Sequence, residues 1–177
     1  MGKKKIFLED YYFHGKQADM AKELSEVPID KESGAKIFRT TVDLYAACAI
    51  VGCFFDKKAQ VTKGEQTRAI LQNAFSSRYD ILEFIYKLVL LYSNEFATYE
   101  EKIDRAFRDP KTDENYDLFN SYVLGGLEEI YKNIYLEKNV RFIDFLQSTN
   151  EFLKKFDEDP DAETKKLVSE ITNEALY

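Results

Sequence analysis

The sequence predicts an all-α, single-domain fold: a bundle of about seven or eight helices with two central apolar ones. Apolar residues recur at helical spacing along nearly the whole chain, and no stretch sustains the alternation of a strand with turn punctuation. Cap signatures, a threonine or serine with an acid three residues on, recur ahead of the apolar runs. A length of 177 residues with 45% hydrophobic content supports one sizeable core rather than two. Fifteen percent aromatics with only 7 Gly and 3 Pro exclude a disordered or linker-dominated chain.

A first helix is expected over Gln17 to Glu26, with Met20, Ala21, Leu24 and Val27 on one face and Pro28 closing it. The second runs from Thr40 to Gly52, with Thr40 and Asp43 as its capping box. It is apolar nearly all round, and Ala46, Ala47 and Ala49 let neighbours come close, so it belongs at the centre. Residues 54–63 read as a loop holding Lys57 and Lys58. Thr62 and Glu65 would cap a third helix through Arg68, Ile70, Leu71 and Phe75. A fourth starts at Ser77, with Asp80 in the box position, and runs through Leu82, Ile85, Leu88, Val89 and Tyr92. It is the second central helix, and Glu83 with Lys87 is its water-facing ion pair.

The polar stretch that follows carries a Thr98–Glu101 box, a short helix through Ile103 and Phe107, and a break at Asp109-Pro110. Phe119, Tyr122, Val123, Gly126, Leu127, Ile130 and Ile134 then form the clearest apolar stripe. Gly125 and Gly126 inside it cost roughly 1 kcal/mol each against alanine, which a close crossing with another helix would explain. A further helix after Asn139 sets Phe142, Phe145, Leu146, Phe152, Leu153 and Phe156 on one side. The last opens on Asp159-Pro160-Asp161, a cap with proline at the first helical position. The domain so read spans 1–177, with a basic lead-in over 1–16 and a charged C-terminal helix over 157–177.

The chemistry is defined mainly by what is missing. No window of about 18 uninterrupted apolar residues offers a membrane span. The opening Met-Gly-Lys-Lys-Lys is backed only by Ile6-Phe7-Leu8, so no secretory signal is expected. Two cysteines make no disulfide framework, which favours a reducing cytoplasm. His14 is the sole histidine, which removes paired Glu-x-x-His metal sites and weakens any triad; it reads as a surface or helix-start residue. Cys48 and Cys53 have neither redox nor zinc spacing and read as core. The acids at Glu100, Glu101, Asp104 and Asp109, and from Asp157 to Glu163, sit in polar segments and read as solvated surface. They form no calcium loop, and Gly125-Gly126 has no phosphate-loop lysine. No catalytic residue, cofactor or metal is expected.

Three functional readings remain. The leading one is a non-enzymatic protein-interaction module, whose partner would meet the thin stripe Leu167, Ile171, Ala175 and Leu176 on the last helix. The second is a nucleic-acid-binding subunit. Although the chain carries a net charge of −7, Arg39, Lys57, Lys58, Lys63 and Arg68 form a locally basic region that could meet phosphates. The third is a small-molecule pocket between the central helices near Gly52 and Gly125-Gly126. Self-association is compatible with all three.

Phe38 to Gly52, with its Phe-Arg-Thr-Thr start, apolar helix and closing glycine, resembles a segment of small helical accessory proteins encoded beside bacterial phage-defence operons, notably DNA phosphorothioation-dependent restriction systems. Tyr122-Val123-Leu124-Gly125-Gly126-Leu127 is similar to a later helix of that group, and the basic loop after Gly52 fits it. The resemblance spans Phe38 to Ile130. It implies a non-enzymatic component of a defence complex and carries over no catalytic residue.

Overall fold

The computed structural model describes residues 6–136 and 142–158. Among them the chain is mostly helical, with seven α-helices and one two-stranded sheet. The order is β1 (Tyr11–His14), α1 (Gly15–Ser25), α2 (Thr41–Phe54), β2 (Thr67–Ile70), α3 (Gln72–Ser76), α4 (Tyr79–Tyr92), α5 (Tyr99–Ile103), α6 (Asp113–Ile130) and α7 (Phe142–Glu158). Wider π-type turns extend α5 over Asp104–Arg108 and α6 over Tyr131–Leu136. No described helix is long and apolar enough to cross a membrane.

The sheet corrects the purely helical expectation. The helix predicted from Thr62 to Phe75 forms only at its end, as α3; Thr67–Ile70 instead pairs antiparallel with Tyr11–His14, Tyr11 opposite Ile70 and His14 opposite Thr67. Phe13 is fully buried and Tyr12 exposed, so β1 does alternate, but over four residues. Thr62 caps nothing. Its hydroxyl donates to the His14 carbonyl at 2.6 Å, and its N–H donates to Gln17 Oε1 at 3.0 Å. Gly15 N–H closes the corner on the Gln66 carbonyl at 2.8 Å, with φ at +52°, a conformation glycine adopts freely. The expected basic lead-in is partly core over residues 6–16: Phe7 is buried against the rings of Phe75, Tyr86 and Phe119, 5.6–6.0 Å between centroids.

Helix starts follow the threonines. Thr40 and Thr98 accept from the N–H of Asp43 and Glu101 at 3.1 and 3.2 Å, as their spacing predicts, and Thr112 does the same for Asn115. Ser77 is no cap; its hydroxyl donates to the Ala74 carbonyl and α4 begins at Tyr79. Val27 lies beyond α1 and is exposed. α2 closes by a paired turn: Lys57 N–H reaches the Gly52 carbonyl at 2.7 Å and Asp56 N–H the Cys53 carbonyl at 3.2 Å. Asp56 sits at φ +49° to make it, and its carboxylate accepts from the Tyr122 hydroxyl at 3.1 Å.

The two central helices are α2 and α6, not α2 and α4. A Cβ on Gly126 would overlap the Cys48 carbonyl and stand 2.7 Å from Gly52 N, and one on Gly52 would overlap the Tyr122 carbonyl. Only glycine permits that approach. Gly125 faces the Lys57–Lys58 backbone in the same way. The close crossing expected of the glycine pair is thus present, and it seals the seam against side chains.

Candidate functional site

α4 lies along α2 with its chain direction parallel. At one end the Arg78 guanidinium stands 3.4 Å from the Asp43 carboxylate; at the other the Cys53 thiol stands 3.9 Å from the Val89 carbonyl. The inner face of α4 is fixed by burial of Leu82, Ile85, Tyr86, Val89 and Leu90, and the Tyr86 hydroxyl donates to the Pro110 carbonyl at 2.6 Å. Glu83 and Lys87, 3.3 Å apart, hold one flank as expected. The remaining arc is apolar and faces outward: Ile81, Phe84 at 64% exposure and Tyr92 at 72%, with Leu88 half-buried among them. Tyr92 is the most exposed of these. Ile50 on the neighbouring outer face of α2 is exposed as well.

This ridge spans about three turns, or roughly 17 Å at 1.5 Å per residue. Single exposed apolar residues are ordinary; a row of them at helical spacing on one element is not. Periodicity missed it because α4 is apolar around most of its circumference. The same breadth was the available signal, since a helix with one inner neighbour face leaves the excess uncovered.

The basic residues do not meet at one place. Arg39 and Arg68, with Lys36, line a cleft of about 350 Å³ at the start of α2. Lys57 and Lys58 follow the end of that 14-residue helix, about 20 Å away. Lys57 is exposed. Lys58 pairs with Glu95 and lies 5.5 Å over the Tyr122 ring; the Glu95 hydrogen bond raises its pKa. It borders a second cleft of about 720 Å³, lined also by Tyr12, His14 and Asn120. Lys63 is exposed beside the Gly15 corner. In the first cleft an Arg68 Nη pairs with Glu26 and donates to Thr41 Oγ1 at 3.2 Å, while its buried Nε has no partner.

At the Gly52–Gly126 crossing, where a pocket is one of the expectations, backbone meets backbone. Both clefts lie outside that seam. His14 is the residue before α1 and is half-buried. Burial pushes the Cys48 thiol well up, and it pushes Cys53 up to about 11, with the Asp56 carboxylate adding to it; neither is a thiolate at neutral pH. Glu101 and Asp104 pair with Arg105 and Arg108 at the surface. On α7, Phe152 is buried against Phe55, while Leu146 and Leu153 flank it, exposed. Among the described residues no cluster of three His, Cys, Asp or Glu could hold a metal. Leu167, Ile171, Ala175 and Leu176 lie outside the described residues.

No protein-family model matches the chain, and neither a curated protein nor a solved structure does.

Proposed function

We propose that this chain is a non-enzymatic protein-interaction module, acting in the cytoplasm as an accessory component of a defence complex. The observation that supports it is the outward apolar ridge of α4, Ile81, Phe84, Leu88 and Tyr92. A ridge at helical spacing fits the groove between side-chain rows of another helix, so the partner is a polypeptide offering an apolar helical surface. Covering Phe84 alone is worth about 1.5–3 kcal/mol of burial, enough for the ridge to anchor an interface.

The test is capture from native extract at low and high salt, after nuclease treatment, with Phe84→Ser beside the parent chain. The reading expects one polypeptide retained at both salt concentrations and lost with Phe84→Ser. A partner held equally by both chains, or recovery of nucleic acid that salt removes, contradicts it. The latter result would favour the basic residues Arg39, Lys57, Lys58, Lys63 and Arg68 as the functional surface.

A further inference from the structure

We infer that the cleft at the start of α2 is a binding site for a phosphate group, held by Lys36, Arg39 and Arg68. This goes beyond the interaction reading and does not depend on it. Three cations line the cleft against one carboxylate, Glu26. Among the described residues Lys36 and Arg39 have no acidic partner, and both are exposed at its rim. The other nearby acid, Asp43, is occupied by the Thr40 hydroxyl at 2.8 Å and by Arg78.

Arg68 forms the floor, and it is held in place. Its Nη reaches both Glu26 and Thr41, and Thr41 is bound in turn by the Ser25 hydroxyl at 3.1 Å. A guanidinium so anchored presents its remaining donors without losing side-chain freedom on binding. Its Nε is buried and has no acceptor among the described residues. The fork of an arginine matches the oxygens of a phosphate, and charge-assisted bonds of this kind are the strong ones. Thr41 and Val42 also border the cleft, and the first N–H groups of α2 have no intrahelical acceptor. The volume of about 350 Å³ admits a phosphate with a modest organic substituent.

Titration of the full chain with inorganic phosphate at low ionic strength tests the site. Saturable one-to-one binding is expected, weakened about tenfold or more by Lys36→Ala with Arg39→Ala, both exposed. Glu26→Gln should tighten it by removing the carboxylate that competes for Arg68. Lys57→Ala with Lys58→Ala, at the far end of α2, should change it less than about twofold. Heat that never saturates, or equal loss from the two double variants, overturns the site and leaves only non-specific charge. A 5′-phosphorylated oligonucleotide and its unphosphorylated twin then compete against phosphate. Displacement by the phosphorylated strand alone places the group at a nucleic-acid end, and displacement by both places it in the backbone. Displacement by neither assigns the site to a small phosphorylated compound.

Discussion

At the seam between α2 and α6, Gly52 and Gly126 bring two backbones so close that no side chain fits between them. Along α4, Ile81, Phe84 and Tyr92 are exposed, uncovered by any of the described residues. Both regions are apolar stretches of helix, and their amino-acid content alone does not separate them. What separates them is where the neighbours fall. α2 is crossed by α6 at its glycine, whereas the elements packed on α4, namely α2, α3, α5 with its π-type extension, and α6, leave Ile81, Phe84 and Tyr92 exposed. An apolar helix therefore has two possible outcomes, sealing into a core or leaving a surplus face, and only the surplus is free to act.

The largest expected effect falls on the seam. Gly126→Ala should destabilise the fold by about 3 kcal/mol, read by urea unfolding, because the new Cβ has no space against Cys48 and Gly52. Helix propensity alone predicts the opposite sign, a gain of about 1 kcal/mol, so the result decides which effect governs. Gly52→Ala should behave alike, through the Tyr122 carbonyl.

The buried side also governs the response to alkali. Burial raises Tyr11, Tyr45 and Tyr86 above their ordinary value of 10.0, with neighbouring tyrosines adding to it. Burial likewise raises Cys48 and Cys53 above 9.0. A folded-state pKa above the unfolded one means the native state holds its proton more tightly. That stability is complete below pH 9 and drains away as pH climbs past 9 and then 10. Unfolding free energy should be flat from pH 7 to 9 and fall above it, with the Tyr86→Phe chain falling less steeply.

Caps give a smaller effect. Thr40→Ala removes the acceptor for Asp43 N–H and should cost about 1 kcal/mol in the same unfolding assay. The smallest belongs to the ridge: Phe84→Ser, and Ile81→Ser with it, should change stability by less than about 0.5 kcal/mol each. A loss of several kcal/mol there would make the ridge part of the core and erase the contrast.

Much of the seam was readable from residues in sequence. Thr40 with Asp43 marks the start of α2, and the Gly125-Gly126 pair inside an apolar stripe marks a close crossing, because nothing else offsets two helical glycines. The 62–75 segment was not readable. Four residues of β2 become a strand only because Tyr11–His14, more than fifty residues earlier, pairs with them, and that contact leaves no local periodicity. The surplus face of α4 was hidden for a related reason: sequence shows which residues are apolar but not which side of a helix its neighbours arrive to cover. The division of the basic residues had a legible cause. Arg39 and Lys57 flank one helix, and its length alone holds them about 20 Å apart. Arg68 could be placed beside Arg39 only by the sheet.

Site-specific photocrosslinking tests the ridge as an interface most directly. A photoreactive phenylalanine analogue replaces Phe84 in one chain and Tyr12, also exposed but on the sheet, in another. Irradiation in native extract should join the position-84 chain to one distinct polypeptide and leave the position-12 chain uncoupled. Coupling at neither position, or the same products from both, would contradict the account.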